Sequence, residues 1–416
     1  MPPAPRSVVS SDPYKNPDLF RWAGSMEGLP AEDTGAGARV ARPPWRSRGN
    51  QWLEWLGSVL PGVFIALGLA LVGRLAAGWA GTSLLGFAES PISPILFAIL
   101  LGLGIRNTIG IPAIYEAGLQ LCLKRILRIG VALLGIRLSL SAVGTIGLLA
   151  LPIVVATIAT ALLMVGAVTR ALGLPRRLGA LVAVGTAICG NTAVAATAPL
   201  IQADEDETSY AIGCVTLFGL LALLSYPFLS YWFFAGNPVL AGLFLGTAIH
   251  DTAQVAGAGM LYLQQFGSPE ALDVATVTKL LRNLFMLLVI PLMGVVYARA
   301  GAGSLTRPRP RFFQMVPFFV FGFVALALLR TLGDLGATPF AGRLSEVDWH
   351  EFIGAASLAS AWCLAVAMAA VGLGTNLKRL RVLGLAPLAV GFTAALVVGA
   401  LSATLIYLLG PRLGSG

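Results

Sequence analysis

Eleven stretches of the chain are long and apolar enough to form lipid-buried helices, at about 54–80, 92–109, 121–142, 147–172, 177–202, 208–235, 238–263, 275–298, 312–333, 350–377 and 384–409. A spanning helix needs roughly 20 mostly apolar residues. Turns rich in Gly, Pro and charge separate the stretches, as at Leu174-Pro175-Arg176-Arg177. Ahead of them, residues 1–50 are polar and rich in Pro and Gly, the pattern of a disordered extension and not of a cleavable signal. The pattern predicts an all-α polytopic membrane protein of about 11 transmembrane helices.

Composition agrees. Hydrophobic residues make up 57% of the 416 and charged residues only 11%, against roughly 25% charged in a soluble domain. Too little polar surface remains to face water all round, which excludes a soluble enzyme. The net charge of +9 could suggest nucleic acid, but the Lys and Arg residues punctuate the ends of apolar runs, so no nucleic-acid partner is expected. If the N-terminus is cytoplasmic, most of the 28 basic residues fall on the cytoplasmic side: the tail, Arg106 to Arg128, Arg170 to Arg177, Arg299 to Arg311 and Lys378 to Arg381. The acidic run Asp204-Glu205-Asp206-Glu207 falls on the other side. This bias predicts a bacterial inner-membrane protein with its N-terminus cytoplasmic and its C-terminus periplasmic. Cys122, Cys189, Cys214 and Cys363 sit in apolar runs without metal-like spacing, so neither a zinc site nor a disulfide framework is expected.

Internal similarity suggests an architecture. Ser93-Pro94 through Thr108 aligns without gaps on Asn237-Pro238 through Thr252, and Arg125-Ile126-Leu127-Arg128 on Lys279-Leu280-Leu281-Arg282. Both pairs place one helix over the fifth helix after it, an odd offset that reverses orientation. The expectation is a five-plus-five inverted repeat with broken crossing helices: an extra helix and loop at 51–91, then repeats at 92–236 and 237–416. A further match, Gly185-Thr186-Ala187-Ile188 with Gly246-Thr247-Ala248-Ile249, falls outside that scheme. Inverted repeats are typical of secondary transporters, with the site at mid-membrane on interrupted helices.

The candidate chemistry lies at such interruptions. Gly185 to Thr192 places glycines together with Thr186, Cys189, Gly190, Asn191 and Thr192 in mid-span. A half-helix starting near Asn191, capped by Asn191 or Thr192, would aim N–H groups at an anion; close packing through small residues is the plainer reading. The repeat puts a matching break in the tenth span, at Gly372 to Asn376 or around Ser357, Ser360 and Cys363. His250-Asp251-Thr252-Ala253-Gln254 is the most polar cluster in any span. A charge at membrane depth costs at least roughly 2.5–3.5 kcal/mol, so Asp251 needs His250, a basic partner, a cation or a proton. Together His250, Asp251 and Thr252 form a candidate coupling-ion element, or a hydrogen-bonded pair or cap. Lys279, Arg282 and Asn283 open the eighth span, and Lys124, Arg125 and Arg128 the third. Each basic set makes a one-sided stripe that would draw in an anion, pair with Asp251, or snorkel to headgroups; snorkelling suits Lys124 and Arg125 best. His350, beside Trp349, reads as interfacial, and Pro227 and Pro291 as kinks.

Three strings, Gly185 to Asn191, Ile249 to Val255 and Thr278 to Asn283, resemble the bacterial YeiH-type membrane proteins, a family commonly labelled as sulfate exporters. The resemblance covers roughly residues 50–410. It implies a place among the cation:proton antiporters and anion transporters, which include bile-acid symporters, with five-plus-five repeats and crossed, broken helices, one break at Cys189–Thr192.

The leading expectation is a carrier of a small anion, sulfate or an organosulfonate, working by alternating access. No cofactor is implied; the coupling ion would be H+ or Na+. Membrane lipid is the other partner, and a homodimer is compatible with this reading. An anion channel is the alternative, and an integral membrane enzyme, with an acidic metal or diphosphate motif, the third.

Overall fold

The computed structural model describes residues 48–80, 83, 93–299, 318–335, 338–377 and 385–413. The N-terminal extension expected at 1–50 lies almost wholly outside the described residues. The described segments are helical: α1 Arg48–Trp79, α2 Pro94–Thr108, α3 at 113–137, α4 Leu140–Ala171, α5 Arg176–Ala187, α6 Asn191–Ile201, α7 Glu205–Phe233, α8 Pro238–Ala248, α9 Thr252–Phe266, α10 Pro269–Leu284, α11 Met286–Arg299, α12 Phe318–Gly333, α13 Glu346–Gly374 and α14 Leu385–Leu413. α3 is irregular, with a π-turn at Cys122–Ile126 and 3-10 turns at both ends. Among the described residues, six helical stretches are long and apolar enough to cross a membrane: Trp52–Trp79, Leu140–Ala171, Glu205–Phe233, Pro269–Tyr297, Glu346–Gly374 and Leu388–Leu409. The chain is a polytopic helical membrane protein.

Helix direction follows from which residues touch. Gly242 of α8 packs on Ala271 and Val274 of α10, and Gly246 on Ala275 and Thr278. Both numbers rise together, so α8 and α10 are parallel. Gly259 of α9 packs on Leu272, while Thr252 accepts a hydrogen bond from Asn283. Here one number rises as the other falls, so α9 is antiparallel to α10. α8 and α9 therefore form a hairpin with its tip at 249–251.

The same reasoning applies earlier. Gly185 of α5 packs on Val215 of α7, and Arg177 is within electrostatic reach of Glu207, so α5 and α7 are parallel. α6 returns beside them, since Asn191 bonds to Thr216 and a short turn joins Ile201 to Glu205. α5 and α6 form a second hairpin, its tip at 188–190. α7 has 29 residues, about 43 Å at 1.5 Å per residue. One hairpin is rooted at its start; the other is rooted at its end, where Tyr231 stacks on Phe266. Both tips reach its middle, at Thr216 and Gly219.

This corrects the expected topology. The fifth and seventh apolar stretches were expected to cross, and both fold back instead. The two changes cancel for every later helix, so only α7 reverses. Its acidic start, Asp204 to Glu207, consequently shares a face with Arg176 and Arg177, and Asp204 and Glu207 close a capping box there.

Nor does the tenth stretch contain the expected break. α13 is continuous from Glu346 to Gly374. Its small residues serve close packing: Ser360 donates to the Gly130 carbonyl at 2.7 Å, Cys363 packs on Gly130, and Gly372 packs on Ile99 and Gly102. The alignment of Ser93–Thr108 with Asn237–Thr252 reflects a shared helix start, in which Ser93 and Asn237 both cap and a proline follows. α2 and α8 begin at the same face, for Ser93 donates to Gln264 near the end of α9 at 2.6 Å. They are not inverted copies of each other.

Candidate functional site

Every residue singled out at the two interruptions ends up at the meeting of the tips. At the first tip Gly190 has φ 72°, and a Cβ there would lie 2.9 Å from the Asp251 carboxylate. A side chain would meet both strain and collision. Asn191 does not cap α6; it is the first residue of that helix, and its amide donates to Thr216 Oγ1 at 3.1 Å. At the second tip Asp251 caps α9, accepting from Ala253 N at 2.7 Å, and Gln254 completes a capping box. Gln254 also donates to the Thr216 carbonyl at 3.2 Å and lies against Gly219, whose missing side chain admits it. Thr216 thus holds both tips. Sequence reasoning did not single it out.

Lys279 and Arg282 do not snorkel. They are 1% and 0% exposed, at the level where the tips meet. Lys279 Nζ donates to the carbonyls of Ile188 (2.8 Å), Ile249 (3.1 Å) and His250. Arg282 donates to Ala187 (2.7 Å), Thr247 (2.7 Å), Ile249 (3.0 Å) and Thr186. These carbonyls are the C-terminal ends of α5 and α8, which carry partial negative charge and lack helical partners. Two buried cations answer two buried helix ends, and so fasten the hairpins to each other.

His250 does not pair with Asp251. Its ring is buried, and neither ring nitrogen has a hydrogen-bond partner among the described residues. Both Lys279 and Arg282 act on it through space. The expected imidazole–carboxylate element is not formed.

A cleft opens on the other side of the tips. It is lined by Cys189 and Thr192 of the first hairpin, Asp251, Thr252 and Ala253 of the second, Asn283, and Lys124, Leu127 and Arg128 of α3. The N-termini of α6 and α9 both start at this wall, presenting N–H groups and partial positive charge. Lys124, on the π-turn, donates to Gln120 at 3.1 Å. Lys124 and Arg128 were read as stripe or headgroup residues and were not singled out for the site. Their spacing of four residues, one face of a helix, was the available signal. Thr186 and Gly190 complete the tip, Thr186 through its carbonyl. Of the residues expected to bind an anion, Lys279 and Arg282 are absorbed in the scaffold, while Cys189, Thr192 and Asn283 face the cleft; Asp251 and Thr252, expected in the coupling-ion element, face it beside them.

Residues 61–391 match the family model described as conserved hypothetical protein 698, which is the family of the YeiH-type membrane proteins. The chain belongs to this family. Similar proteins include a UPF0324 membrane protein of Agrobacterium fabrum (32% identical, covering 86% of this chain and 95% of that protein). Others are found in Streptococcus mutans (33%; 77% and 90%) and Ralstonia nicotianae (34%; 84% and 92%). No solved structure matches the chain. Membership supports the resemblance read from the three strings and carries no substrate with it.

Proposed function

We propose that this protein is a secondary transporter that moves a small anion, of the sulfate or organosulfonate class, across the bacterial inner membrane by alternating access. The observation that carries this reading is the convergence of two half-helix N-termini with Lys124 and Arg128 on one cleft at the meeting of the hairpin tips. Backbone interrupted at membrane depth survives only where protein or water covers it, and here it faces a cleft whose mixed lining includes Thr192, Asp251 and Asn283. Thr192, Thr252 and Asn283 would supply neutral hydrogen bonds to the bound oxyanion. Asp251 places a carboxylate beside it, fitting coupling to a cation gradient, H+ or Na+.

In this reading nine stretches cross the membrane and two hairpins enter it from opposite faces. The units 176–233 and 238–299, each a hairpin followed by a crossing helix, are inverted copies. The matched strings Gly185–Ile188 and Gly246–Ile249 sit at equivalent places in them. The positive-inside bias puts the start of α1, Arg106, Arg170, Arg176 and Arg177 in or near the cytoplasm and the C-terminus outside. The protein is then a carrier and not an enzyme; the acidic run on which an enzymatic reading would lean is spent on capping α7.

The test is uptake of labelled sulfate and of a sulfonate into proteoliposomes. A carrier saturates and shows counterflow; unsaturated flux without counterflow would make it a channel. Asn191→Ala and Asp251→Asn are each expected to abolish transport with membrane insertion intact. Wild-type rates in both would remove the tips from the site.

A further inference from the structure

Six backbone carbonyls, of Thr186, Ala187, Ile188, Thr247, Ile249 and His250, converge where α5 and α8 end. They belong to two different hairpins, and nothing in either helix can satisfy them. An array of carbonyl oxygens at the negative ends of two broken helices is the chemistry by which unwound membrane helices hold a sodium ion. Here the array is already filled. The ammonium of Lys279 takes three of these oxygens and the guanidinium of Arg282 takes four, sharing that of Ile249.

From this geometry we infer that Lys279 is a tethered replacement for a bound alkali cation, so that these carbonyls take no Na+ in the wild-type protein. An ammonium is a compact point charge with three donors on a flexible stem, and three carbonyls meet it. Being covalently attached to α10, it cannot leave with the solute. Arg282 holds the carbonyls of Thr186, Ala187 and Thr247 and shares that of Ile249, its planar fork reaching both hairpins at once. The inference rests on the carrier reading only in giving the consequence for coupling: sodium is excluded from these carbonyls, and the coupling ion is left to the Asp251 carboxylate. The cation chemistry itself holds whatever the solute.

The experiment is a thermal-unfolding titration of purified full-length protein with NaCl replacing choline chloride at constant ionic strength. The wild type is expected to show no Na+-specific shift that persists in Asp251→Asn. Lys279→Ala, which leaves the Ile188 and His250 carbonyls without a cation and that of Ile249 to Arg282 alone, is expected to unfold at lower temperature and to regain part of the loss with Na+ or methylammonium but not with choline. A saturable Na+-specific stabilisation of the wild type that persists in Asp251→Asn would overturn the inference, and this arm decides alone if the alanine variant does not fold. A folded Lys279→Ala protein with undiminished stability, or with no response to either small cation, would overturn it too. Sulfate binding, followed separately in Na+-free buffer, reports on the carrier reading: its absence there would count against the proposed solute and leave the cation result standing.

Discussion

The two hairpins begin alike and end differently. Each first helix closes on Gly-Thr-Ala-Ile, at 185–188 and 246–249, and each offers its last carbonyls to Arg282. Beyond that point the first tip is neutral, Cys189-Gly190-Asn191, and turns on a positive φ. The second is charged, His250-Asp251-Thr252, and turns on a side-chain cap. Their crossing helices differ in the same way. α7 contributes a threonine at the meeting point, whereas α10 contributes Lys279 and Arg282. The first unit supplies shape at the tips, and the second supplies charge. Two hairpins of one backbone plan thus differ in their electrostatic work.

Removing Arg282 should produce the largest effect, because its guanidinium is shared by both hairpins. Arg282→Met is expected to lower stability by about 3 kcal/mol or more, since each buried carbonyl left unsatisfied costs roughly 1–3 kcal/mol; thermal unfolding in detergent measures this. Gly190→Ala comes next and acts on the first tip alone. Strain at a non-glycine residue held with positive φ costs of order 1–3 kcal/mol, and the added methyl also presses on Asp251, so both stability and anion binding should fall. Thr216→Val should be smallest. It deletes the side-chain bond to Asn191 and leaves the backbone bond from Gln254, so a loss of about 1 kcal/mol is expected. Protection from hydrogen exchange should then weaken around 188–192 and not around 249–254; equal weakening at both tips would show that they are held as one unit.

Much of this was legible in the sequence, and what was not has a physical cause. The apolar stretches coincide with the helices, and both interruptions fall where Gly185 to Thr192 and His250 to Gln254 placed polar groups in apolar runs. A hairpin that dips to mid-membrane and returns has the same hydropathy as a helix that crosses, so 177–202 and 238–263 could not be told from spans. The match of Gly185–Ile188 with Gly246–Ile249 falls two apolar stretches apart, which between crossing helices means parallel copies; between two hairpins it marks equivalent places at two tips. The pairing of Ser93-Pro94 with Asn237-Pro238 is a cap followed by proline, which marks many helix starts. The basic residues show where tertiary structure decides. Lys279 and Arg282 were expected to bind the anion, and only the folded chain brings two sets of helix-end carbonyls to them. The stripe of Lys124, Arg125 and Arg128 fits anion attraction and snorkelling alike, and only the placing of α3 turns Lys124 and Arg128 toward the tips.

All of this depends on the two hairpins entering from opposite faces. The direct test is side-specific labelling of single cysteines with a membrane-impermeant maleimide, in a protein whose Cys122, Cys189, Cys214 and Cys363 have been replaced. Leu172→Cys and Glu205→Cys flank the first hairpin, and Phe233→Cys and Ser268→Cys the second. The account predicts that the first two label from one side of the membrane and the last two from the other. Labelling of Leu172→Cys and Glu205→Cys from opposite sides would mean that 176–201 crosses, and would contradict it.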